Sequence, residues 1–160
     1  MEIKQFTLYH GSNTNVKMPV WNSSSRFRDF GQCFYTTYDL RTARDWAEKL
    51  SLITPTINKY ALNLKRIKTS VLSIKRFNAD AEWARFVFDN RENERFKRPA
   101  YDIIIGPIAD RGLANLFMKV KSGEKTFEEI APLIQYNRFK SFQVAFCSNN
   151  ALDCLTYLDK

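Results

Sequence analysis

Apolar and polar residues change places along this chain in short runs, and the period of each run predicts an element. Residues 5–10 put Phe6, Leu8 and His10 on one side and Thr7 and Tyr9 on the other, the period of two that marks a strand, and Gly11-Ser12-Asn13 stops it. His10 is thereby expected at a strand end. A second strand, 33–37, follows Gly31 and leads into a helix that Asp39 caps, with Leu40, Ala43, Ala47 and Leu50 as the apolar stripe and Trp46 at its edge. Strand alternation recurs over 58–64 and, more weakly, over 70–74. A helix over 80–96 turns Trp83, Phe86 and Val87 to one face and the charge-rich stretch 91–95 to solvent. After Pro99 the run 101–108 is apolar on both faces, as in a central, buried strand. Two helical patterns follow at 111–120 and 127–136, the second opened by a capping box of Thr126 and Glu129. The last strand, 141–148, sets Phe142, Val144 and Phe146 against Gln143, Ala145 and Cys147, and a short element of undetermined type closes the chain at 150–158.

The order β, β, α, β, β, α, β, α, α, β lacks the regular alternation of a doubly wound sheet and predicts an α+β fold. No repeat, low-complexity tract or linker divides the sequence, so 1–160 reads as a single domain. At 44% apolar residues, with 13 Phe, 7 Tyr and 3 Trp, the chain carries enough to close a real core and lies outside disordered and disulfide-scaffold compositions. No run approaches a membrane span, and the start MEIKQFTLYH has no apolar signal region, which together predict a cytoplasmic protein with no membrane partner. Cys33, Cys147 and Cys154 are odd in number and form no CxxC pair, a pattern expected of buried thiols in a reducing compartment.

Charge narrows the partners. Lys and Arg number 25 against 17 acidic residues, a net +8, and no acidic residue interrupts the segment 49–79. Lys59, Lys65, Arg66, Lys68, Lys75 and Arg76 within it predict one cationic face, suited to nucleic acid, to an acidic inhibitor protein or to a phosphate-bearing ligand, or else solvated and without a partner.

The motifs of P-loop enzymes, Rossmann dehydrogenases, GxSxG hydrolases and HExxH proteases do not occur. His10 is the one histidine, which excludes a metal site built on several imidazoles and any histidine relay in which His10 is not the base. What remains is a polar constellation early in the chain, Tyr9-His10-Gly11-Ser12 and then Phe30-Gly31-Gln32-Cys33-Phe34-Tyr35-Thr36-Thr37.

YHGS, FGQCFYTT about 20 residues later and TARDWA on the next helix resemble the nicotinamide-binding half of the ADP-ribosyltransferase fold, that of poly(ADP-ribose) polymerases and diphtheria-toxin-like enzymes with a His-Tyr-Glu triad. The chain is closer still to a bacterial family of unknown function grouped with them, which it follows through segments 9–12, 29–37, 105–110 and 141–148. The resemblance implies an ADP-ribosyltransferase-like split β-sheet core with flanking helices, and NAD as substrate. It implies that His10 bonds the adenosine ribose, that the Gly11 main chain grips the nicotinamide carboxamide, and that Tyr35 and Trp46 pack on the nicotinamide ring, with Ser12 and Thr36 as further cofactor-binding residues. Catalytic roles fall to His10, Tyr35 and Gln143, the last standing where the triad has a carboxylate. A glutamine hydrogen-bonds a ribose hydroxyl but neither ionises nor takes a proton, so single transfers survive the change better than chain elongation. Cys33 also departs from the pattern, standing where glycine is usual.

Three functions are therefore expected to compete. The first is a toxin-like mono-ADP-ribosyltransferase acting on a protein or nucleic-acid acceptor, with an acidic antitoxin as partner. The second is a pseudoenzyme that binds NAD or ADP-ribose, and the third a basic nucleic-acid-binding module. Each residue also has a plain structural reading: Gly11 as a turn, Tyr35 and Trp46 as core aromatics, Gln143 bonding nearby main chain, and Asp110 capping the helix after it.

Overall fold

The computed structural model describes residues 6–23, 27–92 and 100–159. Seven strands share one sheet: β1 Phe6–Ser12, β2 Phe34–Thr37, β3 Thr56–Leu62, β4 Ile74–Arg76, β5 Ile103–Pro107, β6 Phe142–Phe146 and β7 Leu155–Tyr157. Their order across the sheet is β4-β5-β6-β2-β1-β3-β7. Only β4 and β5 run parallel, so the sheet is mixed and the fold is α+β, as the element order predicts. The helices are α1 Leu40–Leu50, α2 Leu64–Thr69, α3 Ala81–Glu92, α4 Leu113–Lys121, α5 Phe127–Ile130 and α6 Asn149–Leu152.

Alternation along the strands builds a core on each side of the sheet. Tyr35 and Ala145 join Phe30, Trp83, Ile104 and Phe117 in one cluster, and their neighbours Phe34, Val144 and Phe146 join Leu8, Tyr60 and Ile103 in the other. Asp39 caps α1 through Arg41 N–H, and the Thr126–Glu129 capping box is complete.

Several boundaries differ from expectation. β1 runs on through Gly11 and Ser12, so His10 lies inside the strand, where it pairs with Asn58 of β3. The strand expected at 58–64 ends at Leu62 because Asn63 caps α2, a helix missed inside the basic segment. The strand expected at 70–74 is β4, at Ile74–Arg76. The helix expected over 127–136 is a single α turn followed by a 3-10 turn with Pro132 near its start, since proline has no N–H to continue the α ladder. Gly112, with φ of 90°, holds the N-cap of α4 in place of Asp110. The closing element is α6 followed by β7.

One physical reading is overturned. Cys33 and Cys147 are disulfide-bonded, and Cys154 alone is a buried thiol. The ladder that sets Phe34 opposite Phe146 sets Cys33 opposite Cys147, with their Cα atoms 4.3 Å apart, so topology brings together two cysteines 114 positions apart in sequence. Cysteine usage therefore gives no support to a reducing compartment. The six basic residues are spread over three elements, β3, α2 and β4. β3 carries Lys59 near one end of the sheet and β4 carries Lys75 and Arg76 at the other, and Arg66 and Lys75 pair with Asp153 and Glu82 at 3.0 and 2.6 Å. Among the described residues, no helix is long and apolar enough to cross a membrane.

Candidate functional site

The site begins as a seam in the sheet. β1 pairs with β3 along its whole length but with β2 only at Tyr9 and Thr37. Continued, that register would set His10 against Thr36 and Gly11 against Tyr35, and the ladder is not made there. The His10 side chain fills the gap: its Nδ1 donates to the Tyr35 carbonyl at 2.7 Å, and its ring lies 4.4 Å from that of Phe34. A carbonyl only accepts, so Nδ1 carries the proton and Nε2 of the neutral ring is left as an acceptor. Burial lowers the His10 pKa below its ordinary 6.5, outweighing the Tyr35 bond that raises it, and the Arg28 charge lowers it further.

Gly11 is glycine for a reason other than ligand access. A Cβ there would stand 2.2 Å from the Ala43 carbonyl oxygen and 2.9 Å from Trp46 Cβ, so its absence lets α1 press against β1. That close approach seats Trp46, Lys49 and Leu50 of α1 beside the seam, where all three border a cavity of about 680 Å3.

Opposite α1 the wall is built by β2, β6 and the loop before β2. The Tyr35 hydroxyl donates to the Gly31 carbonyl at 2.6 Å and accepts the Phe30 N–H at 3.0 Å, so the phenol is spent on holding that loop while its ring faces the cavity. Burial first, and the Asp29 charge second, push its pKa far above the ordinary tyrosine range. The loop presents Arg28, 5.9 Å from the Tyr35 ring centre, and Asp29. Arg91 of α3 clamps Asp29 Oδ1 with two nitrogens, Nε at 2.7 Å and Nη2. Gln143 Nε2 donates to Asp29 Oδ2 at 2.9 Å and to the Pro107 carbonyl at 3.3 Å.

Of the residues singled out by sequence, His10, Gly11, Ser12, Tyr35, Trp46 and Gln143 all line this one cavity. Thr36 does not. It is fully buried on the other face of β2, its hydroxyl donating to the Val144 carbonyl at 2.8 Å. Sequence reasoning missed Arg28, Asp29, Lys49 and Arg91. Asp29 lies in the segment 29–37 that carries part of the resemblance. Arg91 was assigned to solvent with its charged neighbours; it turns inward, and residues 93–95 of that stretch lie outside the described residues.

A family model described as "Protein of unknown function (DUF3990)" matches residues 6–157. The chain belongs to the DUF3990 family. That description names no activity, and comparison with curated proteins and with solved structures finds no match.

What this DUF3990 protein offers chemically is legible in the lining itself. A volume of about 680 Å3 falls within the roughly 300–1,000 Å3 of small-molecule sites. Flat aromatic rings, three cationic side chains and one carboxylate already engaged by Arg91 suit a ligand with a planar ring, hydroxyls and anionic groups. Among the described residues no cluster of three or more histidine, cysteine or acidic side chains could hold a metal ion.

Proposed function

We propose that this protein is an NAD-dependent mono-ADP-ribosyltransferase, toxin-like in character, acting on a protein or nucleic-acid acceptor. One observation carries the reading: His10, Tyr35 and Gln143, from three different strands, meet at a single cavity beside the β1–β2 seam. The C1′–N bond to nicotinamide breaks with its electron pair leaving on the ring nitrogen. A lone pair of the acceptor forms the new bond to C1′, and the acceptor's proton passes to solvent. His10 Nε2 would accept from a ribose hydroxyl, and Tyr35 and Trp46 would bound the pyridine ring. Arg28 and Lys49 suit the pyrophosphate, because charged donors bind phosphate oxygens about twice as strongly as neutral ones.

Incubation with labelled NAD and a cell lysate tests the reading. Label transfer by the wild type and its loss in His10→Ala and Tyr35→Ala are expected; equal transfer by the variants sinks it. The glutamine at 143 favours one second reading, a protein that binds NAD or ADP-ribose without turnover. Tight calorimetric binding with no nicotinamide released over hours selects that one.

A further inference from the structure

Gln143 is not a carboxylate, yet one lies against it. Its Nε2 has two acceptors, Asp29 Oδ2 at 2.9 Å and the Pro107 carbonyl at 3.3 Å, and both accept only. An amide turned the other way would set Oε1 against two oxygens, so the arrangement fixes the amide with its nitrogen inward and its oxygen toward the cavity. Asp29 is itself immobilised, its Oδ1 held by Arg91 and its carbonyl accepting from Asn90 Nδ2 at 3.3 Å.

We infer that Asp29 is a positioning residue that holds the Gln143 amide with Oε1 presented to a hydroxyl of the bound ligand, the pair supplying together the acceptor and nearby negative charge that one carboxylate would supply alone. This rests on the proposed transferase reading, in which the hydroxyl belongs to a ribose. The charge sits one residue back from the reacting centre, where it orients and polarises the amide without having to take a proton. Arg91 from α3 is its ion-pair partner, while Arg28 from the same loop, His10 from β1, Tyr35 from β2 and Lys49 from α1 border the same space.

Three variants and two readouts test it, with melting curves to establish that each variant folds. In the 15N–1H spectrum the Gln143 side-chain amide, assigned by its loss in Gln143→Glu, should be displaced in Asp29→Asn. An amide resonance indifferent to Asp29→Asn overturns the inference whether or not the protein uses NAD. For nicotinamide release, Asp29→Asn should lower kcat by up to about a hundredfold with KM little changed, the size of effect that misplacing one group produces. Gln143→Glu sets two carboxylates face to face, so one keeps its proton to higher pH and the pH profile gains a limb. In the double variant, Asp29→Asn with Gln143→Glu, the amide at 29 donates to the carboxylate at 143, so the paired carboxylates are gone and the limb disappears. Unchanged kcat in Asp29→Asn with an active wild type, or a limb that persists in the double variant, also overturns the inference. No NAD binding by the wild type defeats the transferase reading instead, and the amide resonance then judges the positioning of Gln143 by itself.

Discussion

His10 spends one nitrogen on the fold and keeps the other for the cavity, and this division has a pH consequence. Because burial holds its folded pKa below the unfolded 6.5, the native state binds fewer protons than the unfolded chain as pH falls. The associated stability is present above 6.5 and is lost as pH drops through the folded pKa. Melting curves of wild type and His10→Gln should therefore differ most near pH 7.5 and converge below 6.5; a constant difference would mean the ring is not held neutral. Tyr35 makes a second residue-scale prediction. Tyr35→Phe keeps the ring and orphans the Phe30 N–H and Gly31 carbonyl, at a cost of about 1–3 kcal/mol, read as a Tm lowered by about 2–4 °C per kcal/mol. On the proposed reading NAD affinity should hardly change, since the hydroxyl is spent on the loop. His10, Tyr35 and Gln143 were legible through the resemblance, because each sits in a segment whose order and spacing along the chain follow the family pattern. Arg91 carried no such signal: its inward turn depends on where α3 meets the loop holding Asp29, a contact 62 positions long.

At the scale of elements, legibility followed how local the cause was. α1 and its Asp39 cap depend on neighbours within four residues and stood where expected, as did the Thr126 capping box. The alternation of β3 ran past its true end because nothing in a period-of-two pattern distinguishes a strand residue from Asn63, which stops the strand by capping α2. The Cys33–Cys147 bond was invisible for a plainer reason: it is decided by the β2–β6 register, which joins the two ends of the chain. That bond ties the strand bearing Tyr35 to the strand bearing Gln143, and Cys33 itself borders the cavity. A reductant should lower Tm by the equivalent of about 2–4 kcal/mol, the usual worth of a cross-link closing a long loop, and a Cys33→Ser, Cys147→Ser variant should not respond to it. α1 offers the complementary test. Gly11→Ala drives a methyl into the Ala43 carbonyl, costing about 1–3 kcal/mol or more, and should shift Trp46 emission as the helix backs away from the seam. Unchanged stability would mean the helix does not press on β1 as described.

Across the whole molecule, sheet order decides what the net charge of +8 is able to do. A basic run in sequence becomes a basic face only as far as folding keeps it together, and sheet order sets the two strands of this run well apart. β3 and β4 stand five strand spacings apart, about 24 Å, with β5, β6, β2 and β1 between them. Arg66 and Lys75 each face a carboxylate, and Arg76 packs 5.5 Å from the ring centre of Phe142. Of the six charges, that leaves Lys59, Lys65 and Lys68, carried by β3 and the helix α2 that follows it. Counterion release turns this into a number. Six phosphate contacts on one face would give a slope of log K against log salt of about −5, whereas three give about −3. For a short duplex the expected slope is no steeper than about −3, and replacing Lys59, Lys65 and Lys68 by alanine should abolish most of it. If the protein binds NAD as proposed, the same triple variant should leave that binding intact, because none of the three lines the cavity. A slope near −5 that survives the triple replacement would relocate the polyanion surface, and loss of NAD binding would show that the seam and the basic edge are coupled where the fold keeps them apart.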